Sequence, residues 1–193
     1  IVRRVLDGRR HVALPDGGLT LHTAGYVENL AHAVLLAVDH PEASAGRSYN
    51  CGDERTLTLR QRVEWIADIL GHRFEIVNVP GEVVHPSRPM LTHEESDHRL
   101  MDLTRLRSEL GYRDVVSTET ALRRTVEWLC ANRPEPGDFT EQLLGDPFDY
   151  AAEDALIEAA QAGLERLRAV SWQTPPTGGA SYIAVAERGK KRS

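Results

Sequence analysis

The sequence predicts an α/β fold in which helices pack on a parallel sheet, and two observations support this prediction. Short apolar segments that suit strands alternate with segments of helical period between His11 and Pro80, a pattern typical of parallel strands joined by helices. Hydrophobic residues make up 41% and charged residues 27% of the 193 residues, as in an ordinary globular domain with its own core.

Arginines, a turn and glycines predict the first secondary-structure elements of the chain. Val2–Leu6 contains one arginine pair, Gly8 follows it and a second arginine pair comes next, so this segment is predicted to be the end of a helix. His11–Leu14 suits a short strand, Pro15–Gly18 is a strong turn, and Leu19–Leu21 is predicted to begin a second strand.

A second helix is predicted after Asn29, whose side-chain oxygen can accept an unpaired N–H of the first turn. The segment Leu30–Val38 is apolar on nearly every side, so we expect it to be buried between a sheet and another layer. Arg47–Cys51 is predicted to be a short buried strand that ends at Gly52.

The next unit repeats this order. Thr58 and Gln61 have the spacing of a capping box, and the helix that they begin is predicted to end at Gly71. Phe74–Val79 alternates apolar and polar residues, which predicts a half-exposed strand. Gly81–Arg99 has no clear period, and a loop of this kind over a sheet edge is often part of a binding site.

Three further helices are predicted towards the C-terminus. Asp102 can cap a helix over Leu103–Leu110, and another helix is predicted over Thr118–Ala131, ahead of Pro134. An amphipathic helix over Ala151–Val170 is expected to cover its own domain.

Composition excludes several classes of function. The net charge of −6 and the pI near 5.8 argue against nucleic acid as a partner, and no apolar run is long enough to span a membrane. Cys51 and Cys130 are too few for a disulfide scaffold, so buried thiols and a cytoplasmic location are predicted. No metal site is predicted, because His93 and His98 are five residues apart and cannot share one face of a helix.

Four local patterns occur in an order and spacing similar to those of one known family. They are Tyr26–Ala31, Ser48–Gly52, the helix and strand over Thr58–Pro80, and the closing helices between Asp102 and Trp128. Together they resemble the C-terminal part of the extended short-chain dehydrogenase/reductases, which include nucleotide-sugar epimerases and dehydratases. The resemblance covers residues 1–133, whereas 134–193 are predicted to be a linker, an amphipathic helix and a flexible basic tail.

The resemblance implies the C-terminal portion of a Rossmann-like parallel-sheet fold, with the helical substrate-binding subdomain. In this family a glycine-rich loop binds NAD or NADP, and a Tyr-x-x-x-Lys pair performs the acid–base chemistry. Neither motif occurs in these 193 residues, which begin at Ile1 rather than Met. We therefore expect no catalytic or cofactor-binding residue here, and expect a missing N-terminal half or a second copy of the chain as partner.

Four residues are candidates for contact with a sugar or nucleotide-sugar substrate: His22, Tyr26, Asn50 and Arg88. The family commonly has an arginine for the substrate diphosphate where His22 stands, and histidine holds phosphate more weakly. The family also has an aspartate where Asn29 stands. Three of these candidates have a structural alternative, namely a strand residue that faces solvent or is satisfied by a neighbour for His22, a core residue for Asn50, and a surface arginine for Arg88.

The predicted function is that of the substrate-binding part of an NAD(P)-dependent epimerase/dehydratase-like oxidoreductase or isomerase. One alternative is a non-catalytic relative of the same fold that binds or regulates, which the changes at His22 and Asn29 would suit. Another is a naturally short chain that works with a partner. On its own, the chain is expected to be inactive and to expose hydrophobic surface.

Overall fold

The computed structural model describes residues 1–90, 97–135, 137–139, 143 and 145–171, apart from the side chain of Arg88. The chain divides into two compact units, Ile1–Gln161 and Ala162–Ser193. The helices are α1 (Val2–Leu6), α2 (Val27–Asp39), α3 (Pro41–Ser44), α4 (Leu59–Ile69), α5 (Thr104–Leu110), α6 (Thr118–Ala131) and α7 (Tyr150–Arg168). The strands are β1 (His11–Pro15), β2 (Leu21–His22), β3 (Leu57–Thr58) and β4 (Glu75–Val79), and short 3-10 helices cover Asp16–Gly18 and His85–Met90.

A parallel strand pair lies at the centre of the first unit. β1 pairs with β4, with Val12 opposite Ile76. Successive side chains of a strand point to opposite faces, so Val12 and Leu14 pack against α4 while Ala13 packs with Ile157 of α7. Helices therefore cover both faces of β1, as in parallel sheets generally. The prediction of an α/β fold with a parallel sheet is confirmed.

The second strand pair is antiparallel and begins later than the sequence predicted. β2 starts at Leu21 and pairs with β3, whereas Leu19 is exposed. The cause is the preceding turn, in which Gly18 has a φ of +71°. A Cβ on Gly18 would lie 2.9 Å from the backbone nitrogen of Arg60, so the turn packs directly on the start of α4.

The predicted cap and burial of α2 are wrong. The helix begins at Val27, and Asn29 lies fully buried inside its first turn rather than ahead of it. Val34, Leu35 and Val38 are 63%, 59% and 66% exposed. α2 packs through one narrow face, so its apolar character does not correspond to burial.

The predicted strand over Arg47–Cys51 does not form. Side chains fix this segment instead: the hydroxyl of Tyr49 donates to a carboxylate oxygen of Glu109 at 2.8 Å, and its ring packs with the cluster between α2 and α5. Tyr112 donates its hydroxyl to the carbonyl of Gly52. These bonds hold the segment against helices rather than against a neighbouring strand.

Helix signals that lie within one segment predicted the structure more accurately than the signals for α2 and for the strand over Arg47–Cys51. The capping box of Thr58 and Gln61 is present, and the helix predicted over Thr118–Ala131 has those bounds. Asp102 accepts a hydrogen bond from the backbone N–H of Thr104 at 2.8 Å, although Leu103 occupies the N-cap position. None of the helices in the described residues combines the length and the apolar character that a membrane crossing requires.

Inside the first unit, a buried ion pair joins the start of α7 to α1. Arg4 and Glu153 are fully buried, and the Nε of Arg4 lies 3.2 Å from a carboxylate oxygen of Glu153. The other oxygen of Glu153 accepts from the N–H of Ala13 and the hydroxyl of Ser87, while Asp146 pairs with Arg4 at 2.5 Å. Burial opposes the charge of Arg4, but these carboxylates raise its pKa. The N-terminal part of α7 thus covers its own domain, as predicted.

Candidate functional site

The candidate site lies where the segment after β2 meets the turn before β3. A Cβ on Gly52 would lie 2.7 Å from the side chain of Thr23 and 3.0 Å from the carbonyl oxygen of Ala24. The next residue, Asp53, donates its N–H to the same carbonyl at 2.7 Å. Only glycine allows this approach, so Gly52 fixes the distance between the two segments.

Asn29 and Asp53 stabilise this junction through hydrogen bonds. The amide nitrogen of Asn29 donates to a carboxylate oxygen of Asp53 at 2.9 Å and to the carbonyl of Val116 at 3.0 Å. The amide oxygen of Asn29 accepts from the N–H groups of Val115 and Val116. Asp53 also accepts from the N–H of Tyr26 at 2.9 Å. The buried amide therefore has all its hydrogen-bonding capacity satisfied, which fixes the start of α2.

His22 lies on β2, half-buried, beside an arginine from α4. The Nη2 atom of Arg62 is 3.4 Å from Nδ1 of His22 and 3.5 Å from its carbonyl oxygen. Burial lowers the pKa of Arg62, and the negative charge of Asp53 only partly opposes this effect. On its other side β2 is bridged to Arg99, whose N–H donates to the carbonyl of Leu21 at 2.8 Å.

The other predicted site residues have separate surroundings. The hydroxyl of Tyr26 donates to Glu28 at 3.2 Å, and Arg124 bonds to the same glutamate. The side chain of Asn50 is exposed and donates to the carbonyl of Asp102 at 3.3 Å. The backbone of Arg88 belongs to the 3-10 helix His85–Met90, but its side chain lies outside the described residues.

Arg62 is the residue that sequence reasoning missed. It stands three residues after Leu59 and four before Ile66, two buried residues, so helical spacing places it on the same face of α4. An arginine at a core-facing position was therefore visible in the sequence. Its contact with His22, 40 residues earlier, was not.

The glycines of the described residues do not form a dinucleotide cradle. The turn after β1 contains Gly17 and Gly18, but it leads to β2 and not to a helix. A Cβ added to Gly18 would contact Leu14 and Arg60 of this same chain. These residues therefore do not fit the pyrophosphate of NAD. The described residues contain no cluster of three metal-ligating side chains, and residues 91–96, which include His93, lie outside them.

Two cysteines complete the inventory of reactive groups. Cys51 is half-buried, whereas Cys130 is exposed, so the prediction of two buried thiols is wrong for Cys130. Cys130 lies at the end of α6, where the helix turns its last residues to solvent. Burial, together with the charge of Asp53, raises the pKa of the Cys51 thiol.

Comparison with known proteins gives relatives for part of the chain. No family model matches it. It is 29% identical over 137 residues to an uncharacterised Escherichia coli protein, YbjS. This match covers 61% of this chain and 41% of YbjS. It is 27% identical over 128 residues to UDP-D-apiose/UDP-D-xylose synthase 1 of Arabidopsis thaliana, covering 62% of this chain and 32% of the synthase. The chain thus spans less than half the length of either relative.

A solved structure supports the fold. UDP-glucuronic acid 4-epimerase from Bacillus cereus, in complex with UDP-glucuronic acid and NAD, is similar with a TM-score of 0.54 and 11% identity. The similarity covers 68% of this chain and 38% of the epimerase. At this level of identity the likeness shows the fold alone, and it agrees with the Rossmann-like class expected from the sequence.

Proposed function

We propose a function from the premise that this chain is a relative of the NAD-dependent epimerase/dehydratase enzymes: it forms the substrate-binding part of such an enzyme and binds a nucleotide sugar. The observation that carries the proposal is the alignment of 62% of the chain with UDP-D-apiose/UDP-D-xylose synthase 1. The enzyme to which this part belongs is an oxidoreductase or an isomerase.

The proposal divides the work between these residues and others. A nicotinamide cofactor supplies hydride transfer when it is bound. The 193 residues contain no Tyr-x-x-x-Lys pair, and Gly18 packs on the chain itself. We therefore assign cofactor binding and the tyrosine acid to residues outside these 193, in a longer polypeptide or in a second chain. The role left for this chain is to hold and orient the substrate.

Within that role, His22, Tyr26, Asn50 and Arg88 remain the proposed substrate contacts. The half-buried position of His22 on β2, next to a cationic side chain, suits a polar ligand. The exposed amide of Asn50 suits a sugar hydroxyl, since an amide both donates and accepts. The two free cysteines are consistent with the cytoplasmic location included in the proposal.

Calorimetric titration of the 193-residue chain tests this proposal. UDP-glucose is expected to bind saturably, and His22→Ala is expected to weaken binding by about tenfold through the loss of one polar contact. His40→Ala is the matched control, because His40 is exposed at the end of α2. If UDP-glucose and UDP-glucuronic acid both fail to bind, the proposed function is wrong.

A further inference from the structure

A small apolar cavity opens beside α1, apart from the candidate site. Its walls come from α1, α4, α6 and the segments on either side of these helices, and its volume is about 260 Å³. Seven of the nine described residues that line it are apolar, among them Leu6, Ile66, Leu129 and Phe148. None of the candidate-site residues described above lines it. The cavity is therefore a separate place at which a ligand can bind.

The aromatic wall of this cavity is held in position by the chain itself. Phe148 has a φ of +50°, a conformation that residues other than glycine adopt only where neighbouring contacts impose it. Here Asp146 accepts the N–H of Phe148 at 2.9 Å, and the guanidinium of Arg3 lies over its ring, 4.2 Å from the ring centre. The wall is therefore formed before any ligand arrives.

The size and the lining of the cavity suit an apolar group larger than one ring. An apolar cavity of about 150 Å³ is enough to hold a benzene molecule, and this cavity is larger. Its hydrocarbon walls favour a ligand that loses apolar surface to them, and they offer water few hydrogen-bonding partners. Leu6 is 41% exposed, so a ligand can enter from solvent.

Arg133 stands at the edge of the cavity with part of its guanidinium available. Its Nη2 atom bonds to Asp7, while its Nε and Nη1 atoms form no hydrogen bond to a described residue. Asp7 also accepts from Arg3 and, at 2.6 Å, from the hydroxyl of Tyr150. Burial opposes the charge of Asp7, but these hydrogen bonds outweigh burial and lower its pKa. Because Asp7 is shared among three donors, Arg133 can bind a second anion.

We propose that this cavity binds a small carboxylate ligand, whose apolar body lies between α1, α4 and α6 and whose carboxylate bonds to Arg133. A planar guanidinium can donate two parallel hydrogen bonds to a carboxylate. The nearby charge of Asp7 disfavours a doubly charged group such as a phosphate monoester, so a singly charged head group fits better. This inference does not depend on the proposed function, since the two sites share no residue.

The first experiment titrates 2-naphthoate and its neutral analogue 2-naphthamide into the 193-residue chain by calorimetry near neutral pH. Both probes are expected to bind saturably, with 2-naphthoate the tighter. Arg133→Gln is expected to raise the Kd of 2-naphthoate by about tenfold, the effect of losing a charge-assisted hydrogen bond, and to leave that of 2-naphthamide unchanged. Arg123→Gln is the matched control, because Arg123 is exposed on α6 and does not line the cavity.

Filling the cavity tests where the probes bind. Leu129→Trp places a large ring in the space of the ligand and is expected to raise the Kd of both probes by more than about tenfold. Leu100→Trp is the control, because Leu100 is exposed and lies outside the lining. Nuclear Overhauser effects locate the probe in the unaltered chain: we expect contacts from 2-naphthoate to the methyl groups of Ile66 and Leu129.

Several results would overturn the inference. One is the absence of saturable binding of both probes, and another is an unchanged Kd in Leu129→Trp or an unchanged Kd of 2-naphthoate in Arg133→Gln. If Leu129→Trp does not fold, the Overhauser contacts decide, and contacts to other methyl groups alone refute the position. A chain that sediments as a dimer, and as a monomer once it carries Leu129→Trp, would assign the cavity to a second copy instead.

Discussion

Replacing Asn29 by aspartate tests how the candidate site is held. The substitution restores the acidic residue that the resembled family has at this position and changes only the amide group. The amide nitrogen donates to Asp53 at 2.9 Å and to the carbonyl of Val116 at 3.0 Å. In Asn29→Asp both donors are lost, and an ionised carboxylate faces the carboxylate of Asp53.

The expected loss in free energy of unfolding follows from those two contacts. One buried carbonyl left without a donor costs about 1–3 kcal/mol, and two carboxylates in one site add a repulsion of similar size. The two backbone N–H groups that donate to the side-chain oxygen of Asn29 still have a carboxylate oxygen as acceptor in the variant. We expect Asn29→Asp to lower the free energy of unfolding by about 3 kcal/mol near neutral pH.

The pH dependence has a definite sign. Repulsion between the two carboxylates raises the pKa of one of them in the folded chain above its value in the unfolded chain. The folded variant then binds a proton more tightly than the unfolded variant, so its stability relative to the unaltered chain rises as the pH falls. The penalty of Asn29→Asp is expected to be smaller at pH about 5 than at pH about 7.

Urea unfolding followed by tryptophan fluorescence measures both effects. With a slope of about 2 kcal/mol per molar urea, the loss corresponds to a midpoint lower by about 1.5 M. Asn78→Asp is the matched control, because Asn78 is exposed on β4. A midpoint equal to that of the control, or a penalty that grows on acidification, would refute the role given to Asn29.

Three further predictions concern the packing and the thiols. Glu153→Ala is expected to lower the free energy of unfolding by about 3–5 kcal/mol in urea titrations, because it leaves a buried guanidinium short of a partner, whereas Glu158→Ala, exposed on the same helix, changes little. Gly52→Ala is expected to lower it by about 1–3 kcal/mol, since the added methyl group meets a neighbouring chain segment, and an unchanged midpoint would contradict the close approach. Cys130 is expected to react with a thiol reagent faster than Cys51 at pH about 8, and equal rates in the two single Cys→Ser variants would count against the raised pKa of Cys51.

The sequence predicted those elements whose signals are local. The capping box of Thr58 and Gln61 joins residues three apart, and α6 begins and ends where its own cap and apolar spacing place it. The presence of a parallel sheet was predicted from the alternation of strands and helices, whereas the pairing of β1 with β4 was not. In each case the information lies within one segment or in the order of segments.

Residues with distant partners were misread. Asn29 has the side chain of a good helix cap, but hydrogen bonds to residues up to 87 positions away draw it into the core. Tyr49 has a residue type that favours strands, and its hydroxyl bonds to α5 instead. Arg62 and His22 belong to different elements, so neither segment alone revealed their contact. Residue type gave the hydrogen-bonding capacity, and the tertiary fold chose the partner.

The buried pair of Arg4 and Glu153 also bears on the order in which the domain can be completed during synthesis. Arg4 is synthesised well before its partners Asp146 and Glu153, which follow 142 and 149 residues later. Until they emerge, water is the best partner for the guanidinium, and α1 is kept from settling on the core. Contacts of such sequence separation slow folding, since a long loop must close before they form. Helix α1 is therefore among the last of these helices to dock.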